Sequence, residues 1–247
     1  MDWSLLAVIL LGVVIGFAGG YAGIGGAPFM IAFLVLVLGM PQHTAQGTVL
    51  TMMLGPMSLM ALLTMKEEVK HQWKHILVGI VAYAVFSYFG AEFAFRFSDD
   101  GLKKYFAVML FLTALLQLLP FEQRGEPVKR IPLGWMTITG ALAGLIGGFF
   151  GVGAGVLFIP VFILLFNQHK NYARALSLGI LLPPVSLGAF VKYYQMHAIH
   201  WLYVFILFVG YFIANRYGAK FGNRAKPKTF KVIYSLILIL LGGLYLI

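Results

Sequence analysis

Long apolar runs separated by short polar loops make up almost the whole of this chain. The runs occupy residues 4–18, 28–38, 44–65, 75–95, 103–119, 132–146, 156–166, 175–191, 196–215 and 231–247. A helix needs about 20 residues to cross a bilayer, so the runs 28–38 and 156–166 are too short to cross. Each of these two follows a glycine-rich break, at Gly19–Pro28 and Gly147–Gly155. The pattern therefore predicts, twice over, a re-entrant or discontinuous helix pair with a glycine break, followed by three transmembrane helices.

The two breaks belong to a longer internal repeat. Residues 16–26 read GFAGGYAGIGG and residues 144–154 read GLIGGFFGVGA, and the register between the two copies holds without a gap. Six glycines of the first copy fall on glycines of the second, namely Gly12, Gly16, Gly19, Gly20, Gly23 and Gly25 on Gly140, Gly144, Gly147, Gly148, Gly151 and Gly153. Many membrane transporters build a two-sided binding site from such a repeat. We expect a first transmembrane repeat over residues 1–120, a linker over 121–131 and a second repeat over 132–247, packed as one transport unit.

The composition supports a membrane location. Of the 247 residues, 61% are hydrophobic and 11% are charged, and the mean hydropathy is +0.91. A soluble domain carries about 25% charged residues, so we expect an integral membrane protein. Because the bilayer core holds no water and the chain lacks the alternation of a closed barrel, its spanning elements must be helices. The expected fold class is all-α.

The basic residues predict how the two repeats are oriented. If each break-containing pair dips into the membrane and returns, 14 of the 18 Lys and Arg residues lie on one side. If each pair instead forms one continuous span, the division is eleven to seven. The positive-inside rule favours the first arrangement, in which an odd number of crossings per copy inverts the second repeat. We expect the termini outside and the linker in the cytoplasm. The net charge of +10 then lies in loops that face anionic lipid, which makes nucleic acid an unsuitable partner.

The glycine breaks are candidates for an anion site. Two broken helices that face each other near the midplane expose backbone N–H groups and the positive ends of half-helices. Closely spaced pairs such as Gly12 and Gly16 favour helix packing instead. The glycines expected to shape the site are Gly23, Gly25 and Gly26 in the first copy, and Gly151, Gly153 and Gly155 in the second.

The helix after each half-helix opens with polar residues about one turn apart, which are costly in a membrane unless they line a cavity. The candidates for substrate contact are His43, Gln46 and Thr48 in the first copy, and Asn171, Arg174 and Ser177 in the second. Arg174 offers a planar fork of donors to a sulfonate or carboxylate, or else it extends to the membrane interface as a helix-end arginine. His43 is either a proton-coupling group or a capping or interfacial histidine.

Few residues suit other chemistry. Glu92, the only carboxylate inside an apolar run, stands four residues before Arg96, which favours an ion pair on one helix or, less simply, a proton site. The chain has no cysteine, no visible nucleophile beside a base and no tightly spaced histidine ligands. We therefore expect no enzymatic activity, no metal site and no bound cofactor.

The paired motif resembles the TauE/SafE family of sulfite and organosulfonate exporters. In this chain it reads GGYAGIGGAP and GGFFGVGAG, followed after short apolar runs by AQGT and ARALS. The resemblance covers essentially the whole chain, and it implies a bacterial inner-membrane transporter for small sulfur-containing or carboxylate anions. It also implies a secondary mechanism that uses no ATP and is coupled to protons. The second copy departs from the pattern because no proline directly follows Gly155, so the two half-sites are not equivalent.

Together, the residues and the resemblance predict a secondary active transporter of sulfite, organosulfonates or related carboxylates that works by alternating access. Its expected partners are a small anion, protons as the coupling ion, the lipid bilayer and a second copy in a homodimer formed by outer helices. A passive anion channel is the alternative, and a non-transporting membrane scaffold is a more distant one.

Overall fold

The computed structural model is built of helices joined by short connections. The residues it describes are 3–22, 26–56, 70, 72–119, 131–153, 155–181, 186–222 and 227–246. The helices in these ranges are α1 Trp3–Ala22, α2 Ala27–Leu36, α3 Gln42–Met52, α4 Trp73–Ala94, α5 Asp99–Leu118, α6 Leu133–Phe150, α7 Gly155–Phe166, α8 Lys170–Leu181, α9 Leu187–Gln195, α10 Trp201–Gly222 and α11 Pro227–Leu244. No strand occurs within the described ranges, so the expected all-α class is confirmed.

Five of the described helices, α1, α4, α5, α6 and α10, are long and apolar enough to cross a bilayer. Large apolar side chains are exposed on the outside of the bundle, including Leu165 at 64%, Phe205 at 68% and Leu240 at 63%. Exposed apolar surface on this scale would be unfavourable in water and is suited to contact with lipid. The fold is that of a multi-pass membrane protein.

Both glycine breaks are shorter than the sequence predicts. The helix α1 continues through Gly19 and Gly20 to Ala22, and α2 begins at Ala27. In the second copy, α6 continues to Phe150 and α7 begins at Gly155. The glycines that stay helical have a packing role, since Gly147 lies against the Tyr83 hydroxyl and Gly148 against the Ser87 carbonyl. In the described residues, Gly26, Gly151 and Gly153 lie between the helices.

The apolar run 44–65 does not form the single span that its length predicts. The helix α3 ends at Met52, a turn follows, and Pro56 stands after the turn. Proline lacks an N–H group and disfavours a helical conformation in the residue before it, which is the physical reason for this end. In the run 175–191, the described helices are the end of α8, at Leu181, and α9, from Leu187. Residues 57–69 and 182–185 lie outside the described residues.

Two long helix pairs pack with the same geometry. The helix α1 lies along α10, and α4 lies along α6. The close glycine contacts are Gly12 with Leu207, Gly16 with Tyr211, Gly140 with Gly79, and Gly144 with Tyr83. In each pair the residue numbers rise together, so the helices are parallel, and the two sets of contacts join equivalent positions of the internal repeat. The packing role expected for Gly12 and Gly16 is confirmed.

The helices α5 and α11 occupy equivalent places in the two copies of the repeat and pack against each other. The ring of Phe106 lies 5.2 Å from the ring of Tyr245, just after α11. Phe111, further along α5, lies against Gly242, which comes earlier in α11. The order of these contacts is antiparallel, so the two equivalent helices run in opposite directions.

The core is divided into two main apolar clusters. The first surrounds α2, where Met30, Ile31 and Leu34 are fully buried. The second surrounds α7 and contains Phe158 and Phe162 together with side chains of α4, α6 and α8. The helix α3 packs against α2, α5, α9 and α10, which brings its polar side chains to the junction of the two halves.

Candidate functional site

The polar residues of α3 are buried in the protein interior. Gln42, Gln46, Thr48 and Thr51 are all buried. The hydroxyl of Thr51 donates to the Gly47 carbonyl at 2.6 Å, within its own helix. The hydroxyl of Thr48 donates to the Thr44 carbonyl at 2.6 Å and accepts the His200 N–H at 3.0 Å. The hydroxyl groups of both threonines therefore already have protein partners.

The side-chain amide of Gln46 is hydrogen-bonded through its oxygen, whereas its nitrogen has no partner among the described residues. Its Oε1 accepts a hydrogen bond from the Tyr193 hydroxyl at 2.7 Å, and both side chains are fully buried. Its Nε2 has no hydrogen-bond partner among the described residues. A buried polar group without a partner costs about 1–3 kcal/mol. This amide nitrogen is therefore the donor that a buried ligand with an accepting oxygen would satisfy.

The break of the second repeat lies directly against Gln46. Gly151 follows the end of α6 with a φ of 72°, a left-handed conformation that favours glycine. A Cβ at this position would lie 2.6 Å from the Gln46 Cβ and 2.8 Å from its Cγ. Gly153, two residues later, lies against the terminal methyl group of Met53. The chain thus brings α3 of the first repeat and the break of the second repeat into direct contact.

His43 lies one turn before Gln46 and contacts a different part of the protein. Its Nδ1 is 2.9 Å from Asp99 Oδ1, and its backbone N–H donates to the same oxygen at 2.9 Å. Its Nε2 is 3.2 Å from the Ala94 carbonyl oxygen. The ring stacks on Phe95, with 4.6 Å between the centroids. His43 therefore joins the start of α3 to the end of α4 and the start of α5.

Fewer contacts are described for the candidate residues at the first break and in α8. Gly26 is buried at the start of α2, where its carbonyl accepts the N–H groups of Phe29 and Met30. Ser177 is buried in α8, and Gly155 begins α7. Gly23 and Gly25 lie outside the described residues, as do the side chains of Asn171 and Arg174. The structure brings together Gln46 and Gly151. A role for Gly23, Gly25, Asn171 and Arg174 stays a prediction.

Glu92 does not form the ion pair expected from the sequence. Its carboxylate pairs with the ammonium group of Lys192 on α9, and Arg96 lies over the Phe93 ring at 5.9 Å instead. The helix α4 ends at Ala94, two residues before Arg96, so the expected helical spacing is lost. Ser186, directly before α9, donates to the Leu50 carbonyl of α3 at 3.3 Å. Both contacts attach α9 to the first repeat.

One known protein family matches nearly the whole chain. The family model described as sulfite exporter TauE/SafE matches residues 8–245. The chain belongs to the TauE/SafE family.

Relatives of this TauE/SafE protein carry names that agree with a transport role. YdhB of Bacillus subtilis, a probable membrane transporter protein, is 31% identical over 226 residues, 89% of each chain. YunE of the same organism is 25% identical over 97% of this chain and 96% of its own length. A probable membrane transporter protein of Methanocaldococcus jannaschii is 26% identical, over 95% of this chain and 92% of its own.

Two side chains at this TauE/SafE site are not evident from the sequence. Tyr193 contacts Gln46 across 147 residues of chain, and Asp99 contacts His43 across 56 residues. The segment Ser98–Asp99 has the pattern of an ordinary helix start, and Ser98 Oγ does accept the Gly101 N–H at 3.2 Å. Neither contact has a periodic signal in the sequence that could have predicted it.

Proposed function

We propose that this protein is a secondary active transporter in a bacterial cytoplasmic membrane. It moves small organic or sulfur-containing anions, such as sulfite, organosulfonates or related carboxylates, by alternating access coupled to protons. The observation that carries the proposal is the buried amide of Gln46, whose Nε2 lacks a partner among the described residues and lies beside the Gly151 break. Family membership supports it, since the matching model is described as a sulfite exporter.

The chemistry of the Gln46 site favours an oxyanion. The Tyr193 hydroxyl occupies the Gln46 oxygen and leaves the amide N–H groups for a ligand. A hydrogen bond to a charged acceptor contributes about 1.5–3 kcal/mol, more than one to a neutral acceptor. The backbone of Gly151 lies beside Gln46, and because glycine has no side chain, a ligand at Gln46 could also approach this backbone. An anion with several accepting oxygens would satisfy these donors.

The helix arrangement supports two inverted halves. The equivalent helices α5 and α11 contact each other in antiparallel order, as expected for repeats related by an axis in the membrane plane. The pairs α1 with α10 and α4 with α6 each combine one helix from each half. Movement of either pair as a rigid unit would change the contact between Gln46 and the second break. Such a movement would open the site to one side of the membrane at a time.

The proposal is tested by measuring ligand-induced stabilisation of the purified protein. We expect sulfite, sulfate, short organosulfonates or carboxylates to raise the melting temperature, because a ligand that binds only the folded state stabilises it. We expect Gln46→Leu to weaken this binding by at least about tenfold, since it removes a hydrogen bond to a charged group worth about 1.5–3 kcal/mol. The change keeps a side chain of similar size, and the Tyr193 hydroxyl can then donate to the Gly148 carbonyl, which lies 3.4 Å away, so we expect the fold to be retained.

Thr51→Val serves as the matched control for Gln46→Leu. It alters a buried polar side chain of the same helix whose hydroxyl donates to the Gly47 carbonyl, its partner among the described residues, so binding should stay at the wild-type level. Equal affinities in the wild type and Gln46→Leu would contradict the proposed site. Absence of any anion-induced shift in the wild type would contradict the proposed function and favour a scaffold.

We also expect Arg174→Ala to abolish anion binding while the protein still folds. Arg174 is the counterpart of Gln46 in the second copy, so the repeat predicts for it the equivalent place beside the first break. A guanidinium group there would supply a charged, two-pronged donor to the anion. The same melting-temperature titration measures the effect. Undiminished affinity in the variant would show that Arg174 has no role in binding.

A further inference from the structure

Both ring nitrogens of His43 face hydrogen-bond acceptors. The Nδ1 atom lies 2.9 Å from the Asp99 carboxylate, and the Nε2 atom lies 3.2 Å from the Ala94 carbonyl oxygen. A neutral imidazole carries one N–H group and can donate to only one of them, whereas the protonated ring donates to both. The side chain is 12% exposed, so water offers little replacement for a lost bond. A second proton on the ring would therefore complete both hydrogen bonds of His43.

Asp99 is the ionisable side chain bonded to His43 in the described part of the chain. Several other charged or titratable groups at this end have contacts of their own, namely Lys103 with Asp100, Lys192 with Glu92, Arg96 with the Phe93 ring, His200 with the Tyr203 ring, and Tyr193 with Gln46. Lys104 on α5 and His197 just after α9 form no hydrogen bond or ion pair with His43 among the described residues. The helix α2, which also packs against α3, has no titratable residue. A positive charge on the His43 ring would therefore be balanced chiefly by Asp99.

A short chain of contacts joins His43 to Gln46. The His43 ring stacks on Phe95, and the Phe95 ring lies 5.0 Å from the ring of Tyr193. The Tyr193 hydroxyl in turn donates to Gln46 Oε1 at 2.7 Å. His43 and Gln46 also lie three residues apart on the same helix. The His43 ring and the Gln46 amide are therefore connected in two ways, through packed rings and through the helix itself.

We propose that the imidazole of His43 is the coupling-proton site of this transporter, and that its protonation strengthens anion binding at Gln46. The inference rests on the proposed function and names the residue that links the two ligands. A proton from solvent on the ring completes both hydrogen bonds and places a positive charge one turn from Gln46. When the proton leaves, one ring nitrogen turns a lone pair toward an acceptor oxygen, and the contact between α3 and its neighbours weakens. By linkage, a bound anion equally favours the protonated ring.

The second repeat lacks an equivalent pair. Asn171 and Pro227 take the places of His43 and Asp99 in the second copy, and neither side chain can take up or release a proton. The two halves therefore differ in chemistry although they share their helix pattern. The register of the repeat therefore gives this His–Asp pair in the first copy and not at the equivalent positions of the second.

The test is the pH dependence of anion affinity in the purified, full-length protein. Ethanesulfonate and sulfate are suitable probes because their charges are constant from about pH 5 to about pH 8, where histidine side chains change charge. We expect the wild-type Kd to rise about tenfold across this range, a coupling typical of linked sites. His43→Gln keeps a hydrogen-bond donor and cannot titrate, so its Kd should be nearly constant. His75→Gln is the matched control, since the His75 Nε2 also lies near a carbonyl oxygen, that of Ile131 at 2.9 Å, and this variant should behave like the wild type.

Asp99→Asn provides a second variant that keeps an oxygen acceptor for the His43 N–H and removes the charge. We expect its change in Kd to shift to lower pH, because the protonated ring loses its counter-ion. A wild-type pH dependence that His43→Gln retains would overturn the assignment and leave the proposed function intact. A wild type whose affinity is constant with pH would also overturn it. If the wild type binds neither probe at any pH, both the proposed function for sulfur oxyanions and this assignment fail.

Discussion

We expect Gly144→Ala to lower the free energy of unfolding by about 3 kcal/mol, because it inserts a methyl group into a tightly packed helix contact. A Cβ at Gly144 would lie 2.5 Å from the Tyr83 carbonyl oxygen and 3.0 Å from the Tyr83 Cα. Both are backbone atoms of α4, so the contact cannot be relieved by rotating a side chain. The helices α4 and α6 would have to move apart at this contact. Thermal or denaturant unfolding in detergent, followed by circular dichroism, measures the change.

The control for Gly144→Ala lies on the same helix. A Cβ at Gly134 would meet no atom within 4 Å, so Gly134→Ala changes the same residue type in open surroundings. We expect its stability to stay within about 0.5 kcal/mol of the wild type. Equal stabilities of the two variants would contradict the close parallel packing of α4 and α6.

The second large effect is expected for Gly151→Ala, which should weaken anion binding by at least about tenfold through displacement of the Gln46 donor. The φ of 72° makes alanine unfavourable at this position, by about 1–2 kcal/mol. The added Cβ would also lie 2.6–2.9 Å from the Cβ, Cγ and Cα atoms of Gln46. The amide would then leave the position in which Tyr193 holds it. Titration of the melting temperature with anion measures the affinity.

Gly39→Ala separates the two causes in Gly151→Ala. Gly39 also has a left-handed φ, of 65°, but a Cβ there would meet no atom within 4 Å. This variant therefore carries the backbone strain alone, and we expect it to bind anions as the wild type does. Loss of binding in both variants would assign the effect to general destabilisation. Normal binding in Gly151→Ala would remove the second break from the site.

Several features of the fold could be predicted from local sequence patterns. The starts of α3 at Gln42 and α8 at Lys170 follow from polar residues at the head of apolar runs. The packing of Gly12 and Gly16 follows from their spacing. The prediction of a single span over 44–65 is wrong because hydrophobicity alone does not reveal that the helix α3 ends before Pro56. The predicted breaks are too long because glycine in a membrane helix serves packing as well as flexibility.

The candidate site could be predicted only in part. Gln46 and Gly151 stand out because a polar side chain and a glycine break are each unusual in apolar surroundings, and the structure places them together. Tyr193 and Asp99 could not be found in this way, since tyrosine and helix-start aspartate are ordinary in their segments. Their contacts arise from the packing of α9 and α5 against α3, which depends on the tertiary fold. The sequence indicates the wrong partner for Glu92 for the same reason.

Entrance counterflow of radiolabelled sulfite into proteoliposomes tests the transporter assignment most directly, and it does so without assuming the direction of transport. We expect vesicles preloaded with unlabelled sulfite to accumulate the label transiently above equilibrium, with a rate that saturates as the sulfite concentration rises. A site that opens to one side at a time exchanges its ligand in this way. Label that enters no faster than into protein-free vesicles would contradict transport of sulfite. Label that enters without counterflow or saturation would contradict alternating access and assign the protein as a passive channel.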